Sequence, residues 1–127
     1  MNRIADEARK VIEHAEWVAI ATTGPDGPHL AATWGDYVRT LGVGDDQVLI
    51  PAGGLRTTEA NIASDARVEL LFASRQVQRA SGAGQGCLLR GRAELQRSGP
   101  LVDRVKSHFP WARGVLVVHV EEASTQL

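Results

Sequence analysis

The start of the chain has the spacing of an amphipathic helix. Apolar side chains recur every three to four positions, at Ile4, Ala8, Val11, Ile12 and Ala15. This spacing puts them on one face, so we predict a helix over residues 4–15. A second helix is predicted to begin at Thr57 or Thr58, either of which can cap it, and to end near Ser64. A third is predicted from Gly99-Pro100 to Pro110, because proline suits a first turn but cannot continue a helix.

Most of the remaining chain consists of short runs of strand-forming residues separated by turns. The predicted strands cover residues 17–23, 29–36, 37–43, 47–51, 67–74, 86–96 and 112–120. The segment Gly24-Pro25-Asp26-Gly27-Pro28 predicts a hairpin turn, and residues 76–85 are predicted to be a polar loop. Six or seven strands with three short helices, and no regular strand–helix alternation, predict an antiparallel barrel of the α+β class. We expect a single domain over residues 1–127.

Charge and cysteine content exclude several classes of protein. The chain has 14 basic and 15 acidic residues, so it lacks the broad basic surface that nucleic acid or an anionic membrane requires. The single cysteine, Cys87, cannot form an internal disulfide or a multi-cysteine zinc site. No apolar run has the length of a signal peptide or a membrane span. We therefore expect a soluble, cytoplasmic protein with no nucleic-acid or membrane partner.

The sequence contains no spacing typical of a metal site or a catalytic triad. Its histidines, His14, His29, His108 and His119, are scattered along the chain. No serine lies in a nucleophile elbow, and no pair of carboxylates has a spacing that demands acid–base chemistry. We predict neither a metal nor a catalytic side chain, and expect any chemistry to belong to a bound cofactor.

A glycine turn between a strand and a helix is the local motif most typical of ligand binding. It reads Pro51-Ala52-Gly53-Gly54-Leu55-Arg56-Thr57-Thr58-Glu59. The first amides of a helix lack intrahelical partners, and glycines allow an anion to approach the backbone closely. Arg56, Thr57 and Thr58 can donate further hydrogen bonds to a phosphate. The alternative is an ordinary capped helix, and Glu59 repels a phosphate if its side chain points inward.

Aromatic side chains suggest a surface for a flat ligand. Thr33, Trp34 and Tyr37 are placed on the predicted second strand, and Trp111 just before the last one. Trp34 and Trp111 can supply the apolar face on which an isoalloxazine ring stacks. The alternative is core packing, which is the commoner position of tryptophan in a barrel, and Trp17 is assigned to the core for that reason.

Several short motifs, taken in order, resemble a known family. They are Asp26-Gly27-Pro28-His29-Leu30, Thr33-Trp34, Pro51-x-Gly-Gly, Thr58-Glu59-Ala60-Asn61, Asp65-x-Arg67-Val68, Ser74-Arg75, Arg90-Gly91, Gly99-Pro100 and Trp111-Ala112-Arg113. The chain resembles the flavin-binding split barrels related to pyridoxamine 5'-phosphate oxidase, and within them the small FMN-binding proteins of sulfate-reducing bacteria. The resemblance runs from about Val18 to Leu127.

This resemblance implies a split β-barrel that forms a homodimer across its open side, with one FMN per subunit at the interface. It implies phosphate contacts from the stretch Gly53 to Thr58 and a contact from Leu127 to the flavin of the neighbouring subunit. It implies ring contacts from Thr33, Trp34, Tyr37 and Trp111. The expected cofactor-binding residues are Thr33, Trp34, Tyr37, Pro51, Ala52, Gly53, Gly54, Arg56, Thr57, Thr58, Trp111 and Leu127.

Two positions depart from the pattern of those proteins. Thr57 stands where they have a lysine, so either Arg56 supplies that charge or the affinity for phosphate is lower. Ala15 stands where they have an acidic residue near the flavin, and Glu16 is displaced by one position. Because charge near the ring tunes the potential of a flavin, we do not expect the potential to be the same.

The sequence leaves three functions open. The preferred one is electron transfer through non-covalently bound FMN to an unknown redox partner. The second is an enzyme, either an NAD(P)H-dependent flavin reductase or an oxidoreductase that uses FMN or a deazaflavin, although no nicotinamide-binding motif is present. The third is a flavin-storing or purely structural dimer, since a fold does not determine a function.

Overall fold

A computed structural model describes residues 3–127 of the protein. Four helices lie in this part of the chain: α1 Asp6–His14, α2 Gly35–Leu41, α3 Arg56–Ser64 and α4 Pro100–His108. They are interspersed with six strands: β1 Trp17–Gly24, β2 Gly27–Trp34, β3 Gln47–Ala52, β4 Arg67–Arg79, β5 Gly82–Gln96 and β6 Gly114–Thr125.

The strands form one antiparallel sheet in the order β2-β1-β4-β5-β6-β3. Strands β2 and β3 are its edges, and no pairing joins them within residues 3–127, so the curled sheet is a barrel that stays open. The predicted α+β class and antiparallel split barrel are confirmed, with six strands and with four helices instead of three.

The main core lies on one face of β1 and β4. Val18 is paired with Phe72, and Ile20 with Leu70, and all four side chains are fully buried. Helix α1 packs over β4 and contributes Ile12 to the same cluster. Because side chains alternate along a strand, the even-numbered residues of β1 face the core and the odd-numbered ones face away from it.

A second apolar cluster covers the other end of the sheet. Helices α2 and α4 pack on β3 and β6, and the cluster includes Leu41, Leu49, Val105 and Val117. Residues 48–52 of β3 are consequently all buried, because this strand has an apolar layer on both faces. This packing fixes the position from which the chain leaves β3.

Residues 37–43 do not form the strand that the sequence predicted, since helix α2 occupies 35–41. Val38 and Leu41 are both buried and three positions apart, a helical spacing hidden in a run of β-branched and aromatic residues. The Gly35 amide donates to the carbonyl of Glu16 at 2.8 Å, and a Cβ on Gly35 would overlap the Ala15 carbonyl. The helix begins here because only glycine allows this close approach between distant parts of the chain.

The predicted polar loop at residues 76–85 is also corrected. Strand β4 continues to Arg79, β5 begins at Gly82, and the two pair as a hairpin with an irregular register between Ser74 and Gln78. Most of the segment is polar because it extends into solvent, and a polar, glycine-containing strand has little of the alternation that identifies strands.

The part of the chain from residue 3 onward contains no helix long and apolar enough to cross a bilayer. Over the same range, no three His, Cys, Asp or Glu side chains are grouped so that they could hold a metal ion. His14 instead bonds to the carbonyl of Lys10, and His119 lies beside Glu94.

Cys87 is fully buried, and burial raises the pKa of its thiol to about 11. Since the thiolate is the reactive form, we expect the native protein to resist DTNB near neutral pH and the urea-unfolded chain to react with one equivalent. Release of thionitrobenzoate, followed by absorbance, measures both reactions. Rapid labelling of the native protein contradicts this prediction.

Candidate functional site

The candidate site is built around the turn between β3 and α3. Gly53 and Gly54 follow β3, Leu55 has a left-handed conformation with φ of 56°, and α3 starts at Arg56. A bulky residue in this conformation is uncommon and is typical of ligand-binding segments. The predicted cap by Thr57 or Thr58 is wrong: Leu55 is at the N-cap position, and no side chain caps the helix. The start of α3 thus lacks the side-chain acceptor that usually satisfies it.

Thr58 lies in the first turn of α3 and is only 1% exposed. Its Oγ1 has no hydrogen-bond partner among the described residues. A buried hydroxyl without a partner costs about 1–3 kcal/mol, so such a group calls for an explanation. Arg56 and Thr57 are exposed beside it. This set of donors at a helix start fits an anionic ligand that the chain itself does not supply.

Three aromatic rings form a cluster next to the glycine turn. The centroid of Tyr37 lies 4.9 Å from that of Phe109 and 5.4 Å from that of Trp111, and the last two are 5.6 Å apart. A Cβ on Gly53 would lie 2.9 Å from Cε3 of Trp111, so the indole rests on the turn. Trp111 is nevertheless 50% exposed. An aromatic surface open to a ligand therefore adjoins the donors at the start of α3.

Replacing Gly53 with alanine is expected to destabilise the protein by about 1–3 kcal/mol, because the added methyl pushes the Trp111 indole off the turn. Gly54→Ala is the matched control, since nothing lies within 4 Å of the position of its Cβ. Its free energy of unfolding is expected to stay within about 0.5 kcal/mol of the wild type. Urea denaturation measures both values, and equal losses in the two variants contradict the contact.

Trp34 connects this aromatic cluster to the outer face of the sheet. It ends β2, is 52% exposed, and lines one hollow with Tyr37 and Glu16 and another with Thr33 and Trp17. Tyr37 is on α2 and not on the second strand, as a consequence of the helix described above. Although Glu16 is displaced by one position from the family's acidic residue, it lies in both hollows.

The assignment of Trp17 to the core is wrong. Trp17 is 52% exposed and is paired directly with Trp34 across β1 and β2. Because Val18 faces the core, the period of two sends Trp17 to the opposite face. The alternation along β1 contained this signal, and the general preference of tryptophan for burial outweighed it.

Pro51, Ala52 and Leu127 stand apart from the other predicted site residues. Pro51 and Ala52 are buried within β3, and the carbonyl of Ala52 accepts a hydrogen bond from the Arg113 amide. Leu127 is at the other end of β6, where both its N–H and its carbonyl bond to the side chain of Gln85. The twelve residues of β6, about 40 Å of strand, lie between it and the turn.

Two charged residues that the sequence analysis did not assign to the site complete it. Arg113 donates from its guanidinium to the carbonyls of Gly53 and Gly54, and it pairs with Glu59. Glu59 also pairs with Arg97, whose hydrogen bond, together with that of Arg113, lowers the pKa of the Glu59 carboxyl. The negative charge of Glu59 is thus balanced by two arginines. Phe109 was also missed, since nothing local distinguishes it from a residue that ends a helix.

An open antiparallel sheet, curled into a half-barrel with helices at its ends and a glycine turn beside aromatic rings, defines a split-barrel protein. Residues 4–127 match the family model described as pyridoxamine 5'-phosphate oxidase, and the chain belongs to this family. The resemblance seen in the sequence is confirmed.

Relatives and solved structures agree with this assignment. The chain is 41% identical over 118 residues to the FMN-binding protein of Nitratidesulfovibrio vulgaris (strain DSM 19637 / Miyazaki F), covering 93% of this chain and 94% of that protein. It superposes on the crystal structure of HupZ from Group A Streptococcus with a TM-score of 0.75, at 21% identity, over 96% of this chain and 93% of that one. A FAD-binding protein from Mesorhizobium loti gives a TM-score of 0.66 at 12% identity, over 95% and 92% of the two chains.

Proposed function

We propose that this protein binds FMN without a covalent bond, with the phosphate at the start of α3 and the ring on the aromatic surface. The observation that carries the proposal is the buried, unpartnered hydroxyl of Thr58 beside the glycine turn. A phosphate dianion supplies the acceptor that this hydroxyl and the first amides of α3 lack. The relative from Nitratidesulfovibrio vulgaris, which is called an FMN-binding protein, supports the choice of ligand.

Each part of the site has a distinct task in this proposal. Thr58, Thr57 and Arg56 bind the phosphate, and Arg56 supplies the positive charge that Thr57 does not. The half-exposed rings of Trp34 and Trp111 provide the apolar surface for the isoalloxazine. Glu16 lies beside Trp34 with Asp36 and Arg39 in the same hollow, and these charges tune the potential of the ring.

Bound FMN supplies the capacity to accept and donate electrons, and the chain supplies binding, orientation and electrostatics. We propose electron transfer between protein partners as the function. A cytoplasmic location is proposed with it, because the one cysteine is buried and unpaired, which fits a reducing compartment.

We also propose that the protein is a homodimer joined through the outer face of β2, β1 and β4. The apolar residues of this face, called here the apolar sheet face, are Trp17, Ala19, Ala21, Leu30, Ala32, Trp34 and Leu71, and Glu69 borders them opposite Ala21. Leu30 is 72% exposed there, and large apolar patches on soluble proteins mark interaction surfaces. A second copy is the favoured occupant because Trp34 belongs both to this face and to the candidate site, so a dimer covers the exposed side of the flavin. It also gives Leu127 a route to a flavin, that of the partner subunit.

Titration of the purified apoprotein with FMN, followed by quenching of flavin fluorescence, tests the binding proposal. We expect a yellow complex with a dissociation constant at or below the micromolar range. FAD is the comparison ligand: its diphosphate carries an adenosine, so a site built for a terminal phosphate binds it more weakly than FMN. A colourless protein that binds no flavin overturns the proposal. If FAD binds more tightly than FMN, FAD and not FMN is the cofactor.

The role in electron transfer is tested on the FMN complex. Reduction by dithionite or by a protein donor, with no bleaching by NADH or NADPH, is expected of an electron carrier. Rapid bleaching by either nicotinamide assigns the protein to the flavin reductases instead. The absorbance of the oxidised flavin measures both outcomes.

A further inference from the structure

Arg113 makes three hydrogen bonds to the turn between β3 and α3. Its backbone amide donates to the carbonyl of Ala52 at 2.8 Å, its Nε to that of Gly53 at 2.7 Å, and its Nη2 to that of Gly54 at 2.6 Å. Three consecutive carbonyls therefore accept hydrogen bonds from one residue. Carbonyl oxygens repel an anion, so their engagement on Arg113 decides which polar groups of the turn are left for a ligand.

The third nitrogen of the Arg113 guanidinium, Nη1, forms an ion pair with Glu59. Nη1 lies 2.9 Å from Oε1 of Glu59, and both side chains are mostly buried, with 22% and 16% exposed. Glu59 is in the first turn of α3, so this ion pair ties the segment before β6 to the helix. The planar fork of arginine matches this arrangement of acceptors, and a lysine ammonium does not.

The same short segment also carries the aromatic surface. Trp111, two residues before Arg113, rests on Gly53. Arg113 thus binds the carbonyls of the glycine turn, and Trp111 packs against the Cα of Gly53. Together they fix the position of the phosphate end of the site relative to the ring surface.

We propose that Arg113 is a positioning residue for phosphate recognition. It holds the Gly53 and Gly54 carbonyls away from the ligand, so that the amides and the Thr58 hydroxyl are the groups that face the phosphate. The inference rests on the proposed FMN site and adds to it a residue that acts through the turn without having to touch the ligand.

The test compares FMN with riboflavin, which has the same ring and no phosphate. Dissociation constants for both are measured for the wild type, Arg113→Ala and Arg113→Lys. We expect both variants to bind FMN about 10-fold or more weakly and riboflavin within about twofold of the wild type. Arg92→Ala is the matched control, because it removes an exposed arginine whose ion-pair partner is Glu121 and not Glu59. Its preference for FMN over riboflavin is expected to stay within about twofold of the wild type.

The outcomes separate this inference from the proposed function. A wild type that does not prefer FMN over riboflavin overturns the phosphate site and the role of Arg113 together. A wild type that prefers FMN, with the same preference in both variants, overturns only the role of Arg113. If Arg113→Lys binds FMN as tightly as the wild type, a positive charge alone is enough for phosphate binding, and the positioning role of Arg113 is overturned. Circular dichroism checks that each variant is folded. If Arg113→Ala is unfolded, the ratio of the riboflavin and FMN dissociation constants of Arg113→Lys tests the role of Arg113 instead.

Discussion

Leu30→Asp is expected to convert the proposed dimer to a monomer and to weaken FMN binding by about 100-fold. Leu30 is among the most exposed apolar residues, and it lies across from Ala21 in the apolar sheet face. A carboxylate there remains solvated in the monomer, so the fold tolerates it. In the dimer it is buried without a partner and opposes an identical charge from the second copy. Flavin affinity falls with it because the partner no longer covers the ring.

Sedimentation equilibrium and FMN titration on the same samples check this prediction. Ser98→Asp is the matched control, since it adds the same charge at an exposed position between β5 and α4. The control is expected to remain a dimer with wild-type affinity. A monomeric wild type, or a Leu30→Asp variant that stays dimeric, contradicts the assignment of this face. A monomeric variant with unchanged FMN affinity contradicts the sharing of the site.

Thr58→Val is expected to stabilise the apoprotein by about 1–2 kcal/mol while weakening FMN binding by about 10-fold. The substitution replaces a buried hydroxyl that has no partner by a methyl of similar size. The apoprotein therefore loses only an unfavourable burial, whereas the complex loses a hydrogen bond to the phosphate. A gain in stability with a loss of binding is the signature of a residue retained for a ligand.

Thr22→Val is the control, and its expected change in stability has the opposite sign. Thr22 is also buried, but its Oγ1 accepts a hydrogen bond from Nδ2 of Asn61 at 3.1 Å. Removing that hydroxyl leaves the buried Asn61 amide unpaired, so we expect a loss of about 1–2 kcal/mol. Urea denaturation of the two apoproteins measures the difference. If Thr58→Val is as destabilising as Thr22→Val, the Thr58 hydroxyl has a partner within the protein and the argument for the phosphate fails.

Most elements followed from local patterns, and the exceptions have identifiable causes. Helix α1 and the central strands were predicted because their apolar residues recur with the period of the element. Helix α2 was missed because its start depends on the contact between Gly35 and Ala15, which no local pattern contains. The hairpin of β4 and β5 was missed because strand pairing satisfies its backbone, whereas its side chains resemble those of a loop.

The candidate site shows the same division. The glycine turn was found because phosphate binding needs a strand end, glycines and a helix start in immediate succession. The structure then brought Tyr37 and Trp111 together beside that turn, although 74 positions of sequence separate them. Arg113 and Phe109 were not found, because each acts through neighbours that are remote in the chain.

The sequence by itself determined the class of fold, the order of most elements, the glycine turn and the family, since each depends on periodicity or on motifs of a few residues. Only the tertiary structure decided which tryptophans are exposed, that Thr58 is buried without a partner, and that Arg113 and Glu59 hold the turn. Burial and hydrogen-bond satisfaction are properties of the packed chain. They depend on which distant segments meet, and a local pattern of residues does not specify that.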